Sequence, residues 1–445
     1  MKENKTKEDF LDWLYGLSVH GIKLGLNNIT ELLNRLNNPQ NCFKSVHVAG
    51  TDGKGSICAM MTSMLIESGV RTGSYISPHI LNFNERISVD GIQITDDELA
   101  DMAALTVHHV NAMIENGIHC TFFEVTTAIA FLYFKNKGVE YAVVEVGMGG
   151  RFDSTNVIVP EVCIISNISL EHTEYLGNTI EAIAFEKAGI IKAGVPCVTI
   201  NDDAAFSIIK KVAEEKNAPL TRIDINDIDV LSLLEYGTGF TYKEEEYFVS
   251  IPGRCQAKNA SVAVEAISKI SIYGYKCRCN IRSGLRNVNW PCRMQRISGT
   301  PFIIDVSHTL AGSSCLCSDV MHIYGKVLVV FGILNDKDIE RISNNISKIA
   351  SKVIVTKPDS IRAATLEKVT ESVSKYMDVI VSDNVSDAMD LALKIRGDDL
   401  ILVTGSLYMA GDALKWLEKT YPGSSTDCLR NTRTMQHSLA DPRKV

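Results

Sequence analysis

Two hydrophobic periods alternate along this chain. Short continuous apolar runs cover residues 46–49, 72–76, 141–146, 162–165 and 196–200. Most end in Gly, Ser, His or Glu, and between them lie stretches with apolar residues every three or four positions. The runs predict buried strands and the intervening stretches predict helices. Helices are expected at 8–17, 29–36, 96–115, 122–134, 179–190, 204–215 and 259–270, with Asp96 capping the third. The stretch 122–134 is apolar almost all round, which marks a fully buried helix. A hairpin is expected around Asp90-Gly91 within 86–94. Residues 224–251 break the rhythm with alternating short strands and acidic turns such as Lys243-Glu244-Glu245-Glu246. Beyond Trp290-Pro291-Cys292-Arg293, a plausible hinge, the strand–helix alternation restarts, with strands at 302–305, 326–331, 353–356, 379–381 and 400–404. This pattern predicts an α/β protein. Parallel sheets carry ligands at the carboxyl ends of their strands, in a domain 1–297 and a smaller Rossmann-like domain 298–422. Residues 423–445 are polar and unpatterned and are expected to be disordered.

One stretch organises the rest. Val46-His47-Val48-Ala49 breaks into Gly50-Thr51-Asp52-Gly53-Lys54-Gly55-Ser56, after which Ile57, Met60, Met61, Met64 and Leu65 recur at helical spacing. Strand, glycine-rich turn and helix start form a phosphate-binding layout. Glycines let backbone N–H groups turn inward, the helix start adds partial positive charge, and a lysine reaches the phosphates. The spacing is a variant of the common phosphate loop, with Val48 where the first glycine stands and Gly55 where Ser or Thr follows the lysine.

Composition narrows the classes. The chain has 445 residues, 45% hydrophobic, with a net charge of −8. An acidic balance argues against a bulk nucleic-acid footprint, so anionic ligands need local sites. The longest apolar run noted, 327–334, is far too short to span a membrane, and the first residues lead into no apolar signal segment. These features predict a cytoplasmic protein without nucleic-acid or membrane partners. The twelve cysteines include Cys277-Arg-Cys279 and Cys315-Leu-Cys317, which lack zinc-knuckle spacing and read as reduced thiols.

Polar groups gather at predicted strand ends. Ser77 ends one strand, Glu145 lies inside an apolar one, and His172 follows a third. A carboxylate in an apolar strand is costly unless it is paired or binds a metal. Hydroxyl, carboxylate and imidazole beside a phosphate loop are able to hold Mg²⁺ that keeps waters and nucleotide phosphates. Lys187, late in a helix, reads on its own as a lysine compensating the helix dipole.

In detail the chain resembles the folylpolyglutamate synthase/dihydrofolate synthase family within the wider Mur-ligase group. The resemblance rests on Leu24-Gly25-Leu26, residues 47–56, and Ser77-Pro78-His79-Ile80 with Asn84-Glu85-Arg86-Ile87. It continues through residues 121–127, 145–156, 170–176 and 186–191, then Trp290-Pro291-Cys292-Arg293, Asp336-Lys337-Asp338 and Thr404-Gly405-Ser406-Leu407-Tyr408. It implies a phosphate-loop central domain of Mur-ligase type plus the Rossmann-like domain. It also implies ATP-dependent joining of L-glutamate to a folate or to dihydropteroate through an acyl phosphate. By position, Gly50, Thr51, Gly53, Lys54, Gly55 and Ser56 match the ATP loop, and Arg293 and Asp305 match nucleotide contacts. Ser77, Glu145 and His172 match magnesium positions. Lys187 matches a lysine that becomes carbamylated and helps hold a second metal ion. Lys54, His172 and Lys187 thereby enter the catalytic set. Phe83, Arg86 and Phe122 would face the folate, and His308 and Ser406 the glutamate. The resemblance also admits K⁺ and implies a monomer.

The chain departs from that family in three places. Asp305-Val306-Ser307-His308-Thr309 stands where the family shows Asp-Gly-Ala-His followed by Asn or Thr. Cys292 replaces a glycine, and Asp52 replaces the commoner Asn. Val306 is expected to resist a backbone that suits glycine. Two other readings fit part of the pattern. A peptidoglycan-precursor ligase would need an additional domain before the phosphate loop, and a non-catalytic nucleotide-binding homologue would explain Val306 and Cys292.

Overall fold

The computed structural model describes residues 7–17, 25–271 and 280–422. Leu24, Cys277, Cys279 and the expected disordered tail lie outside the described residues. Two compact units form: one up to Asp227 together with Lys258–Leu285, the other made of Ile228–Ala257 and residues from Arg286 onward. The division does not follow chain order, because the excursion at 228–249 groups with the C-terminal half.

The first unit is built on eight strands: β1 (Lys44–Ala49), β2 (Thr72–Tyr75), β3 (Ile87–Val89), β4 (Ile92–Gln93), β5 (Tyr141–Glu145), β6 (Val162–Ile165), β7 (Cys197–Thr199) and β8 (Leu220–Arg222). Their order is β4-β3-β2-β5-β1-β6-β7-β8. Strands β2, β5, β1, β6, β7 and β8 are parallel, and the β3–β4 hairpin adds antiparallel at one edge. Every residue of β5 and β6 is buried, as helices on both faces of a parallel sheet demand. The predicted all-apolar helix is Phe122–Asn136; Val125, Ala128, Ile129, Phe131 and Phe134 are fully buried in the core over one sheet face.

The helix Asp96–Glu115 corrects the expected cap. Thr95, not Asp96, is the N-cap: its hydroxyl accepts from the Glu98 N–H at 3.2 Å, and Glu98 reaches back to the Thr95 N–H at 2.9 Å. This reciprocal pair satisfies two helix-start donors at once. Asp96 instead accepts from Lys7 at 2.7 Å and Asn84 at 2.8 Å.

The second unit has two sheets. Strands β9 (Ile228–Leu234), β10 (Gly237–Tyr242) and β11 (Glu245–Val249) form an antiparallel meander, as the acidic-turn stretch suggested. Lys243 and Glu244 link β10 to β11 with φ of 50° and 66°, the two left-handed positions of a tight hairpin. The other strands are β12 (Gln295–Arg296), β13 (Phe302–Ile304), β14 (Val327–Phe331), β15 (Ala350–Val355), β16 (Val379–Val381) and β17 (Ile401–Thr404), ordered β12-β13-β17-β14-β15-β16. All but β12 are parallel, the doubly wound pattern expected. No helix among the described residues is long and apolar enough to cross a membrane.

Candidate active site

The first unit's site begins where β1 ends. Gly50 has φ of 148° and Gly53 has φ of 89°. A Cβ on Gly50 would lie 1.7 Å from the Ser166 hydroxyl oxygen, and one on Gly53 would lie 2.5 Å from Asn259 Oδ1. Both glycines are therefore required by backbone shape and by space. Gly53 is the N-cap of the helix Lys54–Glu67, so the turn delivers free N–H groups at a helix start.

The loop after β6 braces this turn. The Thr51 N–H donates to the Asn167 carbonyl at 2.7 Å, and the Ser166 hydroxyl donates to the Asp52 carbonyl at 2.7 Å. The Thr51 hydroxyl exchanges two 3.1 Å hydrogen bonds with the Ser169 backbone. The Ser169 hydroxyl donates to the Asp52 carboxylate at 3.3 Å, which turns that unusual acid toward the bracing loop. Ser166 and Asn167 had no signal in the sequence beyond following a strand.

Two lysines converge on the same loop. Lys54 Nζ donates to the carbonyls of Gly50 and Thr51, each at 3.1 Å. Lys187 Nζ donates to the Gly50 carbonyl at 2.7 Å and is only 4% exposed. Burial, reinforced by the charge of Lys54, pulls the Lys187 amine from 10.5 down to about 7, against the opposite pull of Glu171, Asp52 and Asp153. The helix Ile180–Ala188 thus ends in an amine aimed at the phosphate loop, well beyond dipole compensation.

Glu145, the last residue of β5, is buried, and its Oε2 accepts from the Ser77 N–H at 3.1 Å. Val146 donates to the Val48 carbonyl at 2.9 Å, which fixes this acid beside the end of β1. Two of the expected magnesium positions, Ser77 and Glu145, are therefore in contact. His172 lies on the loop after β6, exposed, with left-handed backbone (φ 51°). Among the described residues, no three His, Cys, Asp or Glu side chains gather closely enough to cage a metal. One buried carboxylate held by the Ser77 backbone still suits Mg²⁺, which relies on waters and phosphate oxygens for most of its shell.

The aromatic side of this unit sits on the loop after β2. The Glu85 carboxylate accepts from the N–H groups of Ile80, Leu81 and Asn82 at 2.7–2.9 Å and so rigidifies the loop. Arg86 is buried, donates to His79 Nδ1 at 2.8 Å, and lies 5.8 Å and 5.3 Å from the ring centroids of Phe83 and Phe122. Burial and the Arg86 charge push His79 down to about 3, so it is neutral and accepts. Tyr15 stacks on Phe122 at 5.6 Å with a 12° interplanar angle. Phe83 itself is a core residue, 2% exposed, and Phe122 is the more available ring. A flat, partly polar ligand fits such a surface.

Another buried polar chain was missed from sequence. Asp153 accepts from Thr155, whose hydroxyl contacts His47 Nε2 at 2.8 Å, and Asp153 also accepts from the Met148 N–H at 2.9 Å. Burial drives His47 down to about 3 and Asp153 up from its ordinary value. His47 Nδ1 is buried without a hydrogen-bond partner.

The second unit holds the remaining candidates. Asp305, at the end of β13, accepts from the Met294 N–H at 3.0 Å and the Ser307 N–H at 2.7 Å, which ties the 292–294 turn to this strand end. Cys292 and Met294 take left-handed backbone (φ 58° and 49°), so Cys292 does occupy a conformation that favours glycine. Between them, Arg293 Nε is buried without a hydrogen-bond partner, a donor left over for a ligand. Val306 stays out of the left-handed region and is buried, so the expected resistance of a β-branched residue does not arise. His308 Nδ1 lies 2.8 Å from the Val306 carbonyl. Ser406 is buried and caps the helix Leu407–Thr420 by accepting from the Met409 N–H at 3.1 Å. Its hydroxyl therefore has a structural task of its own.

Comparison with known proteins gives the family of both domains. Residues 48–267 match the Mur ligase middle domain, and residues 292–407 match the Mur ligase glutamate ligase domain. The chain is 35% identical over 429 residues to the dihydrofolate synthase/folylpolyglutamate synthase of Bacillus subtilis, covering 92% of this chain and 99% of that protein. It is 36% identical over 403 residues to the folylpolyglutamate synthase of Lacticaseibacillus casei, covering 86% and 92%. The Mycobacterium tuberculosis folylpolyglutamate synthase, solved with ADP and AMPPCP, superposes with a TM-score of 0.83 at 29% identity, covering 92% of this chain and 98% of that one.

Proposed function

The chain belongs to the folylpolyglutamate synthase/dihydrofolate synthase family of Mur ligases, and on that premise we propose that it joins L-glutamate to a folate, to dihydropteroate, or to both, using ATP. It is an ATP-dependent ligase of this family. The observation that carries the reading is the braced phosphate loop with two lysines on the Gly50 carbonyl.

In this reading the substrate carboxylate attacks the γ-phosphorus of ATP. A carboxyl O–P bond forms, the β–γ bridging P–O bond breaks, and ADP leaves. The glutamate amine then attacks the acyl carbon; the C–N bond forms and phosphate departs. Phosphoryl transfer needs chiefly positioning and charge neutralisation. The N–H groups after Gly53 receive the phosphates, and the Lys54 amine swings from its loop carbonyls to the terminal oxygens. Glu145 with Ser77, joined by His172, would hold Mg²⁺, which supplies positive charge to the phosphates when bound. Lys187, whose amine burial pulls down to about 7, is suited to carbamylation and so to a second metal position. Arg293 and Asp305 would serve the nucleotide, the Arg86–Phe122 surface the folate ring, and His308 the glutamate.

The experiment supplies ATP and L-glutamate with either dihydropteroate or tetrahydrofolate, measuring phosphate release and product mass. Phosphate release matched by addition of one glutamyl group supports the proposal. No release with either acceptor overturns it. The two acceptors tested in parallel also resolve which of the two named activities the chain has.

A further inference from the structure

One ring of the first unit's aromatic surface comes from the helix Lys7–Gly16. Phe10 and Leu14, one helical turn apart, are buried in the core, and Tyr15 lies off that face, 45% exposed. A lone exposed ring would need no explanation. This one lies 5.6 Å from the Phe122 ring at 12°, which is an offset stack. Phe122 in turn has the Arg86 guanidinium at 5.3 Å and a T-shaped contact with Phe83 at 6.4 Å. With Phe10 and Phe83 buried and Phe122 partly so, Tyr15 is the most exposed of these rings. The helix that carries it is held at three points. Lys7 donates to Asp96 at 2.7 Å, and Asp96 also accepts at 2.8 Å from Asn84, in the turn Phe83–Arg86. Phe10 makes a T-shaped contact with Phe83 at 6.4 Å, and Leu14 is fully buried. One turn therefore fixes both Arg86 and the helix that presents Tyr15, so little freedom remains to be lost when a ligand arrives.

We propose that Tyr15 is a specificity-determining residue for the acceptor, its ring stacking against the near-flat bicyclic ring of the folate or pteroate. The inference rests on the reading that places the acceptor on the Arg86–Phe122 surface. Phe122 gives part of its ring to the stack with Tyr15, so the surface continues outward through the exposed ring of Tyr15. A flat ligand ring extends that stack in the same offset geometry. An electron-rich phenol suits an electron-poor heterocycle, because offset stacking sets a positive ring edge over a negative face. Water leaving the two flat surfaces adds to the gain. Phe83, 2% exposed, and Phe10, 5% exposed, are packing elements and have no comparable open ring. Tyr15 stands apart from the phosphate loop and its lysines in the hydrogen bonds described for them, so its effect falls on acceptor binding and not on the phosphoryl or amide steps. The ring, not the hydroxyl, is what this geometry uses.

The test measures steady-state phosphate release by the full-length protein, varying dihydropteroate or tetrahydrofolate at saturating ATP and L-glutamate, and then varying ATP and L-glutamate in turn. Tyr15→Ala removes the ring. Tyr15→Leu keeps bulk against Phe122 but removes the flat face, so it tests stacking without opening a hole. Both should raise the acceptor KM roughly three- to tenfold, with the KM values for ATP and L-glutamate within about twofold of wild type. Tyr15→Phe keeps the ring and should hold the acceptor KM within about twofold of wild type. A Tyr15→Leu enzyme with the wild-type acceptor KM overturns the inference. A parallel rise in all three KM values also overturns it, because that marks a general loss of structure. If the wild type turns over neither acceptor, the ligase reading fails and this inference with it; an active wild type with an unmoved Tyr15→Leu variant removes this inference alone.

Discussion

Replacing Lys187 by Met should stabilise the ligand-free protein while abolishing ligation. The side chain is 4% exposed and its amine titrates near 7 instead of 10.5. An unfolded lysine holds its proton up to about pH 10.5, and the folded one only to about 7. Between those limits the unfolded chain binds more protons, so stability rises with pH at about 1.4 kcal/mol per pH unit. At pH 7 the buried amine therefore costs the wild type on the order of 4–5 kcal/mol relative to a pH above both values. Met removes that cost but loses the hydrogen bond to the Gly50 carbonyl, worth about 1 kcal/mol. The net expectation is a gain of about 3 kcal/mol at pH 7. Near pH 9.5 about 1 kcal/mol of the cost remains, and the two proteins should have nearly equal stability. Urea denaturation of both at pH 7.0 and 9.5 reads this directly. Carbon dioxide must be excluded, because carbamylation of the wild-type amine would erase the difference. A variant less stable than wild type at pH 7, or a stability difference independent of pH, would refute the reasoning.

Two further substitutions probe the loop itself. Gly50→Ala places a methyl 1.7 Å from the Ser166 oxygen, which its hydrogen bond to the Asp52 carbonyl keeps from yielding freely; a loss of about 2–3 kcal/mol is expected in thermal or urea unfolding, together with nucleotide binding. Lys54→Ala removes two hydrogen bonds to loop carbonyls but leaves the glycine turn intact, so unfolding should shift by about 1 kcal/mol or less while kcat falls by about 10²–10³-fold. A Lys54→Ala enzyme with undiminished turnover would remove this lysine from the reaction.

Reading the chain alone succeeds where the controlling interactions are local. The strand at 46–49, the glycine turn and the helix starting at Lys54 lie within about twenty residues, and turn chemistry and helical period decide them together. The same holds for the tight hairpin at Lys243-Glu244 and for the alternation that produces two parallel sheets. Even a local reading slips by a residue when two capping candidates adjoin, as at Thr95 and Asp96, because the choice depends on which side chain Glu98 answers. Resemblance suggested roles for Lys187 and Arg293, which periodicity by itself did not distinguish from ordinary surface residues.

Long-range assembly decided the rest. Lys187 lies 137 residues from Gly50 in sequence, and Ser77 lies 68 from Glu145, yet each pair is in hydrogen-bond contact. They meet because β2, β5, β1 and β6 are adjacent and parallel, which brings the loops at their carboxyl ends to one edge of the sheet. Strand order follows from the pairing and burial of whole elements, and no window of sequence encodes it locally. The depressed Lys187 amine and the partnerless Arg293 nitrogen both arise at that level. The phosphate loop was legible as a string of residues; its two-lysine, acid-braced surroundings exist only once distant strand ends share the same space.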